Sequence, residues 1–567
     1  MKRLSYALIF ILFTAPLCAL PAEQKPKAFR PEAAEEMPQP LPFEQLSTSQ
    51  KLAQTIFVAV DVDKANDYRN AIQKGLVGGI LIQWGNYSLE KTKSVIDKMQ
   101  SWAAKSPSHL PLLVAIDYEG GTVYTPVTLG FPYLPTNMMI AAANNPEDTV
   151  TLFYTVANEL KNAGVNINFA PVVDVNINPS NPIIGVRSFG SDTQVVSRMG
   201  VAVITGMQKA GIMAVAKHFP GHGETYQDSH LALPHLNVSE EEFRRVHLPP
   251  FKAAIDSGVM GIMTAHIVYD FMDKGSPATF SPIILKGLLR DELKFKGVVI
   301  SDSLDMAGAK QDSKEMVAEA VKSYNAGVDI LLTGKRDPAR THLEIMTQIE
   351  KTISKERIED AAKRIYELKK RLGLFGLRQQ NIDLQSYRQP FNVFAKKITD
   401  EGVTVVKAEK GVLPYTKTSN GKKQKLCSVF FSPARFADQL PPIHTPFLKR
   451  GWQVEYFNAS MRPKRTDIMR AQKCMKDADL VIIGSLQWAD KPIDSQKTAI
   501  DELLQSNKDI ILLSLMSPYD IKFYPQAKNI IAMYGVNKLS AAAAANIITG
   551  DLKPQGKLPI NLNYEEK

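Results

Sequence analysis

Residues 217–230 read Lys-His-Phe-Pro-Gly-His-Gly-Glu-Thr-Tyr-Gln-Asp-Ser-His and hold three of the chain's nine histidines, with a lysine and an aspartate among them. The apolar run 212–216 leads into this segment. It therefore reads as a buried strand ending in a polar loop, where a scaffold commonly places its chemistry. Asp228 precedes His230 by two residues, and a carboxylate that close can orient an imidazole and tune its basicity. Asp302 follows another apolar run, 298–300, after Ser301, which makes it a candidate nucleophile. An aspartate there also suits a helix cap, a role for which Asp305 is better placed. Lys217, His218 and Arg187 are donors at loop positions, suited to forking over vicinal hydroxyls of a sugar; structural salt bridges are the competing reading. Asp117, in Ile-Asp-Tyr-Glu-Gly-Gly, can accept from two hydroxyls, and the glycine pair permits a tight turn.

Other chemistries fit less well. His218 and His222 are four apart, but Pro220-Gly221 between them does not suit a helix interior. No cysteine or nearby glutamate pair completes a metal site, so neither a metal nor a cofactor is expected. Ser229 lies between Asp228 and His230, yet neighbours in an extended loop point opposite ways, and no Gly-x-Ser-x-Gly elbow is present. His235 and His247 read as structural.

These residues need elements to hold them. From residue 44 the chain repeats a short apolar run, a polar loop and a helix-like stretch. The runs are 56–62, 79–82, 112–116, 165–173, 212–216, 259–265, 298–300 and 328–332. Amphipathic stretches such as 148–163, 193–209 and 314–325 lie between them. Eight alternations over this length predict a (β/α)8 TIM-type barrel across residues 44–375. Active residues of that fold sit at the C-terminal strand ends, which here carry Asp117, Asp174, Lys217, His218, His266 and Asp302. A final helix is expected over 351–372, then a connector over 376–400. Six further runs, at 403–407, 426–431, 452–457, 480–483, 510–515 and 530–534, predict a smaller αβα sandwich over 401–567. That domain has no Gly-x-Gly-x-x-Gly after a strand, so a dinucleotide site is not supported.

A length of 567 residues exceeds one ordinary core, in line with two domains. Composition, 44% hydrophobic and 22% charged, is globular. The net charge of +10 is scattered, without the aromatic-interleaved basic stripe of a nucleic-acid binder. Met1-Lys2-Arg3, an apolar run to Leu17 and the following Ala-Leu-Pro-Ala read as a secretory signal over residues 1–22, followed by a Pro-, Glu-, Lys- and Ala-rich linker over 23–43. The chain is thus expected to be exported, to periplasm or cell envelope, with no transmembrane segment in the mature form; an uncleaved N-terminal anchor is the alternative reading. Cys18 as a lipid site is disfavoured by the Pro-Leu before it, and Cys427 with Cys474 allow one optional bridge.

Together these motifs resemble glycoside hydrolase family 3, and within it the bacterial β-N-acetylglucosaminidases that trim cell-wall fragments. The resemblance runs through Asp117-Tyr-Glu-Gly-Gly, Asn168-Phe-Ala-Pro-Val-Val-Asp174, Arg187-Ser-Phe-Gly, the 217–230 loop, Met263-Thr-Ala-His266 and Ser301-Asp302, and ends at Gly556-Lys-Leu-Pro. It implies Asp302 as nucleophile, His230 as general acid/base with Asp228 its partner, and Asp117, Arg187, Lys217 and His218 as ligands of the terminal sugar. It implies a retaining exo-β-N-acetylglucosaminidase (β-N-acetylhexosaminidase) whose glycan substrate is a muropeptide or an N-acetylglucosamine oligomer. A phosphorylase and a β-glucosidase are the alternatives within the family; a non-catalytic glycan-binding protein is the alternative outside enzymes. Two positions depart from the subgroup's pattern. Thr125 stands where an Arg is usual, and Ser303 where a second Asp often follows the nucleophile.

Overall fold

A computed structural model describes residues 38–562 apart from 84, 86, 122–129, 227–232, 307–312, 335–337, 377–386, 418–421 and 489–491. Asp228, His230, Thr125 and the N-terminal signal fall outside the described residues. The eight apolar runs form one parallel sheet: β1 (Ile56–Val60), β2 (Gly79–Ile82), β3 (Leu113–Ile116), β4 (Ile167–Asn168), β5 (Met213–Phe219), β6 (Gly261–Thr264), β7 (Val298–Ile300) and β8 (Leu331–Leu332). Their order is β8-β1-β2-β3-β4-β5-β6-β7, and a parallel bridge from Ile300 to Ile330 joins the two ends into a barrel.

Strand alternation divides the core in two. Phe57, Leu81, Leu113, Met213, Val215 and Met263 fill the interior, whereas Ile56, Val58, Ile80, Val114 and Ala214 face the surrounding helices. Ile365 and Leu368 of the helix Lys355–Arg371 belong to the interior cluster. Beside them Lys369 donates to Gln54 Oε1 at 2.5 Å and to the Gly78 carbonyl at 3.0 Å, at the N-terminal ends of β1 and β2. That plug leaves the opposite end of the barrel for chemistry. The helices are punctuated by their own sequence. Asn145 caps Pro146–Asn162, with proline in its first turn, and Asp192 accepts from Gln194 and Val195 to cap Thr193–Lys209. Each cap contributes about 1 kcal/mol.

The stretch expected as one helix over 351–372 is two elements. Pro338–Thr352 ends, Ser354 accepts from the Arg357 N–H as a new cap, and Lys355–Arg371 begins. Within the expected connector, Arg388–Gly402 is a helix whose Phe391, Ala395 and Ile398 bury against the barrel.

The second sheet contains β9 (Thr404–Lys407), β10 (Lys425–Phe431), β11 (Gln453–Ala459), β12 (Leu480–Ser485), β13 (Asp509–Ser514) and β14 (Ile530–Ala532). The order is β9-β14-β13-β12-β10-β11, parallel except for the edge strand β9. β12 is buried along its whole length, the pattern of a central strand covered on both faces in an αβα sandwich. Cys427 on β10 is disulfide-bonded to Cys474 on the helix Arg465–Lys476. Residues from Gln39 onward form one compact unit, and Met138, Met139 and Ala142, which lie between β3 and β4, pack into the second domain's core. Among the described residues no helix is long and apolar enough to cross a membrane.

Candidate active site

The C-terminal strand ends converge on a cavity of about 260 Å³. Asp117, Arg187, Lys217, His218 and Asp302 all line it, together with Glu119, His222 and Asp305. Lys217 and His218 both face the cavity although successive strand residues normally point to opposite sides; the peptide joining them is cis.

Glu119 is the hub. Arg187 clasps its carboxylate through Nε at 2.7 Å and Nη2 at 2.8 Å. Lys217 Nζ lies 2.6 Å from Glu119 Oε1 and 2.8 Å from Asp117 Oδ1. Burial opposes ionisation of Glu119, but the Arg187 and Lys217 charges and hydrogen bonds outweigh it and hold its pKa at about 2. Burial likewise disfavours a charged Lys217, yet Asp117 and Glu119 raise its pKa above the ordinary lysine value. Both cations are thereby fixed in charge and place before any ligand arrives, with Asp117 partly open to the cavity.

His218 is oriented from behind. Its Nδ1 lies 2.8 Å from Asp174 Oδ2, and Asp174 also accepts the backbone N–H of His218 and, at 2.7 Å, that of His222. Nε2 is left facing Arg187 Nη2 at 3.5 Å. Asp174 is fully buried; burial raises its pKa, but the His218 charge and hydrogen bond, then His222, bring it below the usual aspartate value. His222 pairs with Thr225 Oγ1 at 2.9 Å, and burial, then the His218 charge, push its pKa down to about 4. It is a neutral imidazole at neutral pH.

Asp302 follows β7 without an intervening turn. Its Oδ1 accepts the Ser303 N–H at 2.8 Å. Burial opposes its charge, but the His218 and His266 charges, that N–H and the Lys217 charge together lower its pKa below the ordinary aspartate value. It is therefore an ionised carboxylate lining the cavity, able to attack an electrophilic carbon. Ser303 Oγ donates to Asp305 at 2.5 Å, and His266 Nε2 lies 3.2 Å from the Ser303 carbonyl. Asp305 in turn presses on Gly334, where any Cβ would fall 1.8 Å from its Oδ2. With φ at +70°, that position is restricted to glycine twice over.

Of the sequence-derived site residues, Asp117, Arg187, Lys217, His218 and Asp302 share this cavity, while Asp228 and His230 lie outside the described residues. His247 is buried and bonded to Glu224 at 2.8 Å, and exposed His235 lies 3.3 Å from Asp270. Residue types and spacing give Glu119 no role, place Asp174 only at a strand end, and offer His222 only as half of a disfavoured metal pair. Asp174 does carry the strand-end signal, and Glu119 follows Asp117 by two residues, but no local pattern marks a carboxylate as the shared partner of two distant cations. Among the described residues no group of three His, Cys, Asp or Glu side chains is placed to hold a metal ion.

Residues 47–368 match the glycosyl hydrolase family 3 N-terminal domain, and residues 298–567 match the C-terminal domain of the same family. Beta-hexosaminidase A of Pseudoalteromonas piscicida is 29% identical over 548 residues, covering 86% of this chain and 89% of its own. A Cellulomonas fimi beta-N-acetylglucosaminidase/beta-glucosidase is 29% identical over 390 residues, 66% of this chain and 67% of its own. The solved family 3 beta-N-acetylglucosaminidase from Paenibacillus sp. str. FPU-7 superposes with a TM-score of 0.82 at 29% identity, over 91% of this chain and 99% of that one.

Proposed function

Since the chain belongs to glycosyl hydrolase family 3, we propose that it is a retaining exo-β-N-acetylglucosaminidase that removes terminal β-linked N-acetylglucosamine from cell-wall-derived fragments. The observation that carries this reading is an ionised Asp302 sharing one small cavity with a preassembled cluster of donors and acceptors, Arg187, Lys217, His218 and Asp117. At about 260 Å³ the cavity lies below the roughly 300–1,000 Å³ of pockets for drug-sized ligands, which suits a single terminal ring. The hexosaminidase names of its relatives support the choice of sugar.

In this mechanism Asp117 accepts from ring hydroxyls while Lys217, Arg187 and His218 donate to them. Asp302 attacks the anomeric carbon and the bond to the leaving oxygen breaks, giving a covalent glycosyl-enzyme. His230, oriented by Asp228 on the loop that leaves β5, protonates that oxygen. It then takes a proton from the incoming water, whose oxygen displaces Asp302 with net retention. An imidazole in this role repels an anionic acceptor less than a second carboxylate does, so phosphate is the acceptor to test against water.

Export to the periplasm or cell envelope is part of the proposal. The N-terminal sequence supports it, as does the Cys427–Cys474 disulfide, a bond characteristic of oxidising compartments. The deciding experiment is turnover of an aryl N-acetylglucosaminide and an aryl glucoside, each with and without phosphate, by wild type and Asp302→Ala. Preference for the glucoside would make it a β-glucosidase, as one of the two activities named for the Cellulomonas relative allows. Sugar 1-phosphate as the main product would make it a phosphorylase. Glycan binding without turnover by wild type would leave a binding protein.

A further inference from the structure

Tyr519 belongs to the second domain, in the short turn Pro518–Phe523, and is fully buried. Its hydroxyl donates to the Asn176 carbonyl at 3.0 Å and accepts from Asn176 Nδ2 at 3.0 Å. Asn176 lies in the barrel, on the loop leaving β4. Its N–H donates to the Gly190 carbonyl at 2.9 Å, and its Oδ1 accepts the Gly185 N–H at 3.2 Å. Gly185 opens the turn Gly185–Arg187, whose last residue clasps Glu119 in the cavity. The same turn leans on the second domain at two more points. Val186 packs against that domain's apolar core, and the Trp488 carbonyl lies 3.5 Å from where a Cβ on Gly185 would stand. The loop also reaches the opposite way. Asn178 Nδ2 donates to the carbonyls of Glu224 and Thr225, and Asn181 Nδ2 to that of His222, at the base of the loop leaving β5.

We propose that Tyr519 is a positioning residue: by holding the carbonyl and the side-chain amide of Asn176 together, it fixes the Arg187 turn, so that the second domain sets the affinity for the terminal sugar through Asn176. The inference rests on the reading of Arg187 as a sugar ligand. Arg187 is held at both ends: its guanidinium is fixed to Glu119 and its carbonyl accepts from Asn137 Nδ2 at 2.6 Å, while Val186 in the same turn rests on the second domain's core. Without the hydroxyl, both the Asn176 carbonyl and its amide lose a buried partner, and the turn relaxes around the guanidinium. A displacement of that turn by a fraction of an ångström alters the fork presented to the sugar.

The test uses the full chain and Tyr519→Phe, which keeps the ring and removes only the hydroxyl. Amide exchange over residues 183–190 is expected to rise roughly tenfold while exchange in β5 stays at the wild-type rate. Unchanged exchange over 183–190 overturns the proposal. In turnover of an aryl N-acetylglucosaminide, KM is expected to rise roughly tenfold with kcat within about threefold, and Tyr519→Phe combined with Asn176→Ala is expected to be no worse than Asn176→Ala alone. A wild-type KM in Tyr519→Phe, a loss confined to kcat, or a double variant with fully additive losses overturns it, even if Tm falls. A wild-type protein with no turnover defeats the functional reading alone, because the exchange measurement still decides whether Tyr519 holds the Arg187 turn.

Discussion

Arg187 and Glu119 meet edge to edge, two nitrogens on two oxygens at 2.7 and 2.8 Å, and both side chains are buried. The pair lines the cavity, with Lys217 bonded to the same carboxylate. Glu119→Gln keeps the shape and removes the charge, leaving Arg187 without its fork and Lys217 with Asp117 alone. The expected outcome is a KM raised by about 10- to 100-fold with a smaller change in kcat. Loss of one partner from a buried pair also costs about 3 kcal/mol of stability, readable as a shift in the denaturant midpoint. A KM equal to that of wild type would show that the fork plays no part in holding the sugar.

Asp302→Ala is expected to lower kcat by at least about three orders of magnitude while the protein stays folded. The depressed pKa of Asp302 adds a pH signature. A nucleophile must be ionised, and the proposed one, Asp302, stays ionised below the usual aspartate range. The acid limb of kcat/KM therefore falls below the ordinary aspartate pKa unless unfolding intervenes. An acid limb near pH 6 would assign that limb to another group. Asp305→Asn serves as the control, since Asp305 already accepts from Ser303 and is expected to leave the covalent step in place.

Much of this arrangement is legible from residue types, and the exceptions have physical causes. The barrel strands are readable because each is buried on both faces and so appears as a continuous apolar run. The break between Thr352 and Lys355 is marked only by Ser354, whose capping role is hard to see inside an unbroken amphipathic pattern. The helix Arg388–Gly402 carries its apolar period at Phe391, Ala395 and Ile398, but Pro390 in its first turn reads as a breaker. Site residues at strand ends, Asp117, Lys217, His218 and Asp302, follow from the fold itself. Glu119 and Asn176 do not, because their roles arise from partners 68 and 343 residues away.

His222 and Glu119 predict how stability responds to acid. His222 has a folded pKa of about 4 against an ordinary value of about 6.5. Between those values the unfolded chain binds a proton that the folded chain does not, so stability is full above pH 6.5 and falls as pH drops toward 4. The contribution is roughly 3 kcal/mol. Glu119, held at about 2, adds a second loss that begins as pH falls through the ordinary glutamate range and is complete only below its folded pKa. Urea midpoints of wild type and His222→Gln, compared from pH 7.5 to 4.5, are expected to converge as pH falls. Parallel curves would remove His222 from the account.

The Cys427–Cys474 bond links β10 to the helix Arg465–Lys476 across 47 residues of sequence. Closing a loop of that length restricts the unfolded chain, and the entropy relation gives about 4 kcal/mol, with native strain free to reduce it. Cys427→Ser is expected to lose roughly 2–4 kcal/mol in chemical denaturation. Reductant should destabilise wild type by a similar amount and leave the variant unchanged. The candidate cavity is lined by barrel residues, and neither cysteine takes part in the Tyr519–Asn176 contact, so turnover below the unfolding transition should change little in the variant. If reductant instead abolishes turnover while the barrel remains folded, the second domain acts on the cavity more strongly than its distance along the chain suggests. If reductant changes neither stability nor turnover, the thiols are free in the purified protein, and the disulfide no longer supports export.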